Sequence, residues 1–347
     1  MKKVLHVIDR LEIGGAERVF LDLTKLLLDK GVAVDALTIS ARGALFESID
    51  SRAGKFYLDR KNKYSLLKMW ECASICAGYE IVHVHTTHTY FYVRMSQLVS
   101  FRKFKIIFHA HFGEFGNSKK IPFSLNYLFK PLFFIGVSSS LCKWAVDTLK
   151  IKSQHVWLLR NIIIPFASEK KISDSTDEKK WVLVSNIRKI KNIEFAISLA
   201  ESHQMNLHIY GLMQADDYSK KIMDLIDNNP RIKLIQTETN VQSKLKNYVL
   251  ALHVSFSEAG PLVLLEFLAQ GLPFLAHYTG EVAEVLHHEI PECFVHSLNE
   301  DDWQIAIKRI TANPPSSEKL VGLFHKYFGP EEYVNTCLKI YQEAGNY

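Results

Sequence analysis

The sequence lacks most of the signatures that would settle its class at a glance. Its five cysteines, Cys72, Cys76, Cys142, Cys293 and Cys337, are odd in number, scattered and without metal-ligand spacing. That sets aside a disulfide framework and fits a reducing, cytoplasmic compartment. No apolar run approaches the roughly 20 residues of a membrane-spanning helix, and Lys130 interrupts the most apolar candidate, residues 127–137. The run Val4-Leu5-His6-Val7-Ile8 ends at Asp9 and Arg10, too soon for an export signal, and reads as a first strand. The dinucleotide fingerprint G-x-G-x-x-G is absent, which argues against a nicotinamide enzyme. The zinc helix H-E-x-x-H is missing as well, and Asp-x-Asp occurs nowhere.

What is present fits two α/β domains of ordinary size. The chain has 347 residues, 48% of them hydrophobic and 23% charged, enough to bury two cores. The formal charge of +5 conceals an asymmetry. Residues 1–168 hold 24 basic and 13 acidic side chains, and the remainder hold 18 and 24, so the front half faces something anionic. Between residues 100 and 137 basic and aromatic side chains interleave, among them Phe101, Arg102, Lys103, Phe104, Lys105, Lys119, Lys120, Phe123 and Tyr127. Such a mixture suits peripheral contact with an anionic membrane surface at its inner face. No nucleic-acid module accompanies the charge.

The βα alternation starts with a strand over residues 3–8, a loop holding Gly14-Gly15-Ala16-Glu17-Arg18, a helix over 19–29 closed by Gly31, and a strand over 32–39. Further strands are expected over 81–85, 105–108, 135–137, 156–159, 181–184, 207–210 and 232–235, with helices over 193–201 and from Pro330 to about Ala344. Tyr333, Cys337, Leu338 and Tyr341 would give that last helix one buried face. Five histidines, His83, His85, His88, His109 and His111, fall at two strand ends. They read as polar caps on buried strands rather than as metal ligands. Residues 167–180 are polar, charged and unpatterned, as a linker would be.

The organising stretch is Phe256-Ser257-Glu258-Ala259-Gly260-Pro261-Leu262-Val263-Leu264-Leu265-Glu266 and its continuation to Pro273. It reads as a strand end, a small-residue turn, then an apolar helix stopped by Gly271 and Pro273. A helix with Pro261 at its first position leaves the amides of Leu262, Val263 and Leu264 free to face an anion. Glu258 and Glu266 bracket that turn, and carboxylates accept hydrogen bonds from sugar hydroxyls. Acid, amide cluster, acid is the layout of a nucleoside diphosphate sugar. Glu266 stands among Leu264, Leu265, Phe267 and Leu268, where an acid has a specific partner.

At these residues the sequence resembles the family 4 retaining glycosyltransferases (glycosyl transferases group 1) with the GT-B fold. Glu258 to Glu266 is similar to their Glu-x7-Glu signature, Thr279-Gly280-Glu281 to the helix start that follows it, and Gly14 to Arg18 to their glycine-pair loop. The resemblance implies two Rossmann-like α/β domains with parallel sheets facing across a cleft. The domains are expected over 1–166 for the acceptor and 181–329 for the nucleotide sugar, with residues 330–347 crossing back as a helix onto the first. It implies catalytic roles for Glu258, Lys191 and His111, with His109 the alternate. Substrate contacts fall to Gly14, Gly15, Asn186, Arg188, Glu266 and the backbone of Gly260, Pro261, Leu262 and Val263. Asn186 stands where relatives carry an arginine, and Ile162 where they carry glycine.

The implied reaction moves a hexose from a UDP- or GDP-sugar to a glycan or lipid-linked acceptor in surface polysaccharide synthesis. It proceeds with retention and without a metal or other cofactor, because no Asp-x-Asp is available to chelate the diphosphate. Two other readings remain open. One is a catalytically silent GT-B subunit, favoured by Asn186, and the other a nucleotide-sugar epimerase of similar fold.

Overall fold

The computed structural model describes residues 3–111, 129–166, 180–236, 238 and 240–346. Of the linker read over 167–180, residues 167–179 lie outside these, as do the basic and aromatic residues at 119, 120, 123 and 127, while Lys180 is already the first residue of a strand. The chain divides into two units, residues 1–163 with 330–347, and residues 164–329. Ile164 to Phe166 go with the second unit because its side-chain amides take up their backbone. Gln242 Oε1 accepts from the Phe166 N–H at 3.0 Å, and Gln270 Nε2 donates to the Phe166 carbonyl at 3.1 Å.

In the first unit seven strands form one parallel sheet: β1 (Val4–Ile8), β2 (Val34–Thr38), β3 (Lys55–Tyr57), β4 (Ile81–His85), β5 (Lys105–Ala110), β6 (Phe133–Gly136) and β7 (Val156–Leu158). Their spatial order is 3-2-1-4-5-6-7, so the winding reverses between β1 and β4. β1 and β4 are buried at every position, as expected of central parallel strands covered on both faces. Helix α1 (Gly15–Asp29) packs Val19, Phe20, Leu23 and Leu27 onto the sheet. Gly31, at φ +74°, makes the left-handed turn that closes it, and the Val32 N–H reaches back to the Leu27 carbonyl at 3.0 Å. Helices α2 (Leu66–Cys76) and α3 (Thr87–Ser100) pack against each other beside β4 and β5.

The second unit repeats the plan with six parallel strands: β8 (Lys180–Val184), β9 (Asn206–Tyr210), β10 (Ile232–Ile235), β11 (Leu250–His253), β12 (Phe274–His277) and β13 (Phe294–Val295). Their order is 10-9-8-11-12-13, and the reversal falls between β8 and β11. Open α/β sheets bind ligands at the carboxyl ends of the strands beside such a reversal. The ends of β8 and β9 approach closely there: a Cβ built on Gly211 would lie 1.9 Å from the Ser185 carbonyl oxygen. Gly211→Ala is therefore expected to cost about 1–3 kcal/mol in a urea titration, because the obstacle is backbone and cannot rotate away.

The last helix, Pro330–Gly345, belongs to the first unit and contacts α1 and β5. It buries Tyr333, Val334, Cys337, Ile340, Tyr341 and Ala344. Leu338, expected on that face, is only half-buried, and Val334 and Ile340 take the places beside it. Helix α1 begins at Gly15, four residues before its expected start. The glycine pair suggested a loop, but Gly14 is the N-cap residue and Gly15 the first helical one.

Candidate functional site

In the second unit the segments leaving β8 and β11 meet. From β8 the chain runs through Asn186 and Arg188 into a single turn of 3-10 helix, Lys189–Lys191, ended by Asn192 in the left-handed region at φ 55°. The Phe256 N–H donates to the Ile190 carbonyl at 2.9 Å, which ties this turn to the segment after β11. Lys191 is thereby brought onto Glu258, and its Nζ bonds Oε1. His253, the last residue of β11, donates through Nε2 to the same oxygen at 3.3 Å. The Glu258 N–H is held by Thr279 Oγ1 at 3.2 Å, and the Glu281 N–H donates to the Ala259 carbonyl at 2.8 Å. Gly280, at φ +81°, permits this contact, since a Cβ there would come within 3.0–3.2 Å of the Ala259 and Glu258 carbonyl oxygens and Glu258 Cβ.

Burial by itself would raise the Glu258 carboxyl. The His253 hydrogen bond and the Lys191 charge outweigh it and hold the group at about 2. A carboxyl depressed from its ordinary 4.5 contributes stability above pH 4.5, lost as pH falls to about 2. Glu258→Gln is therefore expected to flatten the acid limb of the stability curve within that window, by roughly 2–3 kcal/mol at its foot. Urea titrations at stepped pH would read the difference, and parallel curves for the two proteins would refute the pairing.

Helix Leu262–Ala269 starts four residues after Glu258. Pro261 is its N-cap residue, with ψ 114°, and not its first helical residue as expected. The difference matters for the amides. The Leu264 N–H donates to the Pro261 carbonyl at 3.3 Å, so of the three donors expected to be free, those of Leu262 and Val263 remain available. Leu264, Leu265, Phe267 and Leu268 are buried. Glu266 shares the half-buried stripe of Leu262, Val263 and Ala269, so the acid stands on the helix's accessible side, one turn from those amides. Its apolar sequence neighbours point elsewhere.

Two expected contacts are otherwise engaged. Asn186 Oδ1 accepts from the Leu212 N–H at 3.0 Å, bracing the β8 and β9 ends. The Arg188 guanidinium faces the Gln214 amide at 3.0 and 3.2 Å once that amide's oxygen is turned toward it. Lys191 is thus the cation that the structure places on Glu258. His253 was not anticipated, its one sequence cue being a polar residue closing an apolar strand, and Thr279, quoted in the helix-start motif, had been given no contact with Glu258.

In the first unit the reversal between β1 and β4 gathers histidines. His6, His83, His85 and His109 are fully buried, and His111 follows β5. Burial lowers His6 and His111 to about 3 and the other three well below the usual range, so all five are neutral at pH 7 and carry one ring proton each. Those protons can be placed. The Thr24 hydroxyl has one proton and gives it to the Phe20 carbonyl at 2.7 Å, so it accepts from His6 Nδ1 at 2.9 Å. His6 Nε2 is then bare and accepts from Tyr341 Oη at 3.0 Å. Tyr341 Oη in turn accepts from His83 Nδ1, and the bare His83 Nε2 accepts from His109 Nδ1 at 3.0 Å. The chain ends on His109 Nε2, a buried lone pair without a donor among the described residues.

His111, the histidine for which the resemblance implied a catalytic role, is bonded through Nε2 to His85 Nδ1 at 3.0 Å, the rings stacked at 13°. Ligand nitrogens of His85, His109 and His111 lie within 4.8 Å of one another, as do those of His6, His83 and His85. Transition metals accept such donors, but the ring-to-ring bonds already use four of these nitrogens. Thr86, directly after β4, has φ 71° and ψ 151°, a region costly for a β-branched side chain and a form of strain found at functional sites. Gly14 and Gly15, at the start of α1, belong to this unit too.

Comparison with known proteins agrees with both halves. Residues 13–164 match the model for Glycosyltransferase Family 4, and residues 166–322 that for Glycosyl transferases group 1. Among solved structures, HepE from Anabaena in complex with UDP and glucose superposes with a TM-score of 0.81 at 14% identity, covering 98% of this chain and 99% of that one. A glycosyltransferase from Rickettsia africae gives 0.80 at 14%, covering 99% and 98%. Sucrose-phosphate synthase from Thermosynechococcus elongatus gives 0.75 at 15%, covering 99% of each. No curated protein matches. The two family matches adjoin and together take in nearly the whole sequence, and the fold is theirs: the chain belongs to the GT-B glycosyltransferases of family 4, the glycosyl transferases group 1.

Proposed function

We propose that the protein transfers a hexose from a UDP- or GDP-sugar to a glycan or lipid-linked acceptor in surface polysaccharide synthesis, with retention at the anomeric carbon. The observation that carries this reading is the meeting of Lys191, Glu258 and the Leu262–Ala269 amide terminus at the β8/β11 reversal. A diphosphate would take its charge compensation from Lys191 and the Leu262 and Val263 amides, with the helix dipole behind them. Glu258, ionised at any physiological pH, would accept hydrogen bonds from the sugar. Glu266, one turn along, is suited to the ribose hydroxyls. Departure of the nucleoside diphosphate breaks the anomeric C–O bond with its electron pair, and a leaving phosphate oxygen takes the acceptor's hydroxyl proton as the new bond forms on the same face. No metal is required in this scheme. In the first unit, His111 and the Gly14-Gly15 helix start are the residues proposed for substrate contact. The acceptor is placed at the inner membrane face because the basic surplus lies in the first half of the sequence.

UDP in the HepE structures favours a uridine donor by analogy. The engagement of Asn186 and Arg188 with Leu212 and Gln214 favours a second reading, a silent subunit supporting a partner enzyme. Incubating the purified chain with radiolabelled UDP-sugars separates the two. An enzyme releases UDP, slowly to water and faster to acceptor, whereas a silent subunit releases none.

A further inference from the structure

We propose that α2 and α3 form a docking surface for anionic phospholipid, centred on Leu67, Trp70 and Phe101. Large apolar side chains of a water-soluble fold are normally covered, and scattered exceptions need no explanation. Here they are gathered. On and before α2, Leu67 is 75% exposed and Trp70 53%, with Tyr64 and Leu66 also open; at the end of α3, Leu98 and Val99 are exposed and Phe101 is 91% exposed. The two helices pack against each other, and the Arg102 guanidinium lies over the Trp70 ring at 5.1 Å. The two sets therefore form one continuous face.

Phe101 is the most telling member. It ends α3 in the left-handed region at φ 55°, a position that glycine or asparagine fills without cost. A phenylalanine there is strained and gains nothing from burial, so neither folding nor capping accounts for it.

The charge around this face selects the occupant. Residues 61–70 and 98–104 contain Lys61, Lys63, Lys68, Arg102 and Lys103 and no carboxylate. The flanking acids are taken up locally, Asp59 by Lys61 at 2.8 Å and Glu71 by Lys68 at 2.9 Å. Aromatic and aliphatic side chains ringed by cations match a bilayer of anionic headgroups, with rings at the interface and ammonium groups on phosphate. A second copy of the chain would set these cations against one another. The membrane-facing part of the proposed function bears on this surface, but the transfer chemistry does not. The sequence had placed the interfacial stretch over residues 100–137; α2 was not part of it.

Vesicle flotation of the full chain without substrate tests the proposal. Binding is expected to vesicles with about 30% anionic phospholipid, to weaken several-fold in roughly 0.5 M salt, and to be marginal on neutral vesicles. The triple variant Leu67→Ser, Trp70→Ser, Phe101→Ser should lose at least ~10-fold of the bound fraction. Lys63→Glu with Lys103→Glu provides a second variant that leaves the apolar set intact and should lose a similar share. All five residues are exposed, and a thermal melt checks that each variant folds. The proposal is overturned if the wild-type chain ignores anionic vesicles, if both variants bind as well as it does, or if sedimentation shows a dimer that the triple variant dissolves without any lipid binding. UDP release, measured separately, stays unchanged in both variants, so failure here leaves the transfer reading standing.

Discussion

Lys191→Ala is expected to slow transfer from the nucleotide sugar by about 10²–10³-fold, the usual consequence of removing one preorganised group that meets developing negative charge. The substitution has two effects that must be told apart. It removes a cation from the proposed diphosphate site, and it leaves Glu258 with His253 as its remaining partner. Burial then acts on the carboxyl with less opposition, so its pKa rises from about 2. Folding stability should fall as well, on the order of 1–3 kcal/mol, since the pair is only partly screened from water. The double variant with Glu258→Gln decides which effect governs activity. If the lysine serves only to neutralise Glu258, the double variant is no slower than Glu258→Gln alone. If it meets the diphosphate, the double variant is slower than Glu258→Gln alone, and the loss appears in kcat rather than in the donor KM.

Tyr341→Phe is expected to destabilise the first unit by about 2–4 kcal/mol. Its hydroxyl is the junction of the proton chain, and its loss strands two buried groups, the His6 Nε2 lone pair and the His83 Nδ1–H, each worth roughly 1–3 kcal/mol when unsatisfied. The same helix supplies a matched control. Tyr333 is also buried, but its hydroxyl has no hydrogen-bond partner among the described residues, so Tyr333→Phe should be neutral or slightly stabilising. Equal losses from the two substitutions in urea titrations would refute the chain. The histidines add a pH signature. Groups whose ordinary pKa is 6.5, lowered to about 3 for His6 and His111 by burial, bind protons only on unfolding. Stability is full above pH 6.5 and falls from there toward pH 3, earlier than the Glu258 window, and nitrogen-15 spectra at pH 7 should find His109 protonated at Nδ1.

The alternation of apolar runs with glycine and proline stops was enough to place most of the strands, because a parallel strand covered on both faces is largely apolar; β3, short and exposed at the sheet edge, and β12 and β13 were not read. Strand β4 and strand β10 appear where the apolar runs predicted them, and β5 runs two residues past its expected end, since His109 and Ala110 continue the ladder to β6. Helix starts were less legible. The four residues from Gly15 to Arg18 are helical although a glycine leads them, and Pro261 takes the cap rather than the first turn, because a cap is a backbone conformation that several residues can adopt. The Glu258 and Glu266 spacing was visible as a pattern. That His253 and Lys191 converge on one carboxylate oxygen was not, since they approach it from different strands.

By itself the sequence determined two parallel α/β units, their order, and the family to which they belong, because these follow from hydrophobic period and from motifs a few residues long. Only the tertiary structure decided which side chains share a proton, which cation meets which acid, and which apolar residues stay wet. Such relations join positions as distant as His6 and Tyr341, or Trp70 and Arg102, and a local pattern carries no information about what the folded chain brings beside it.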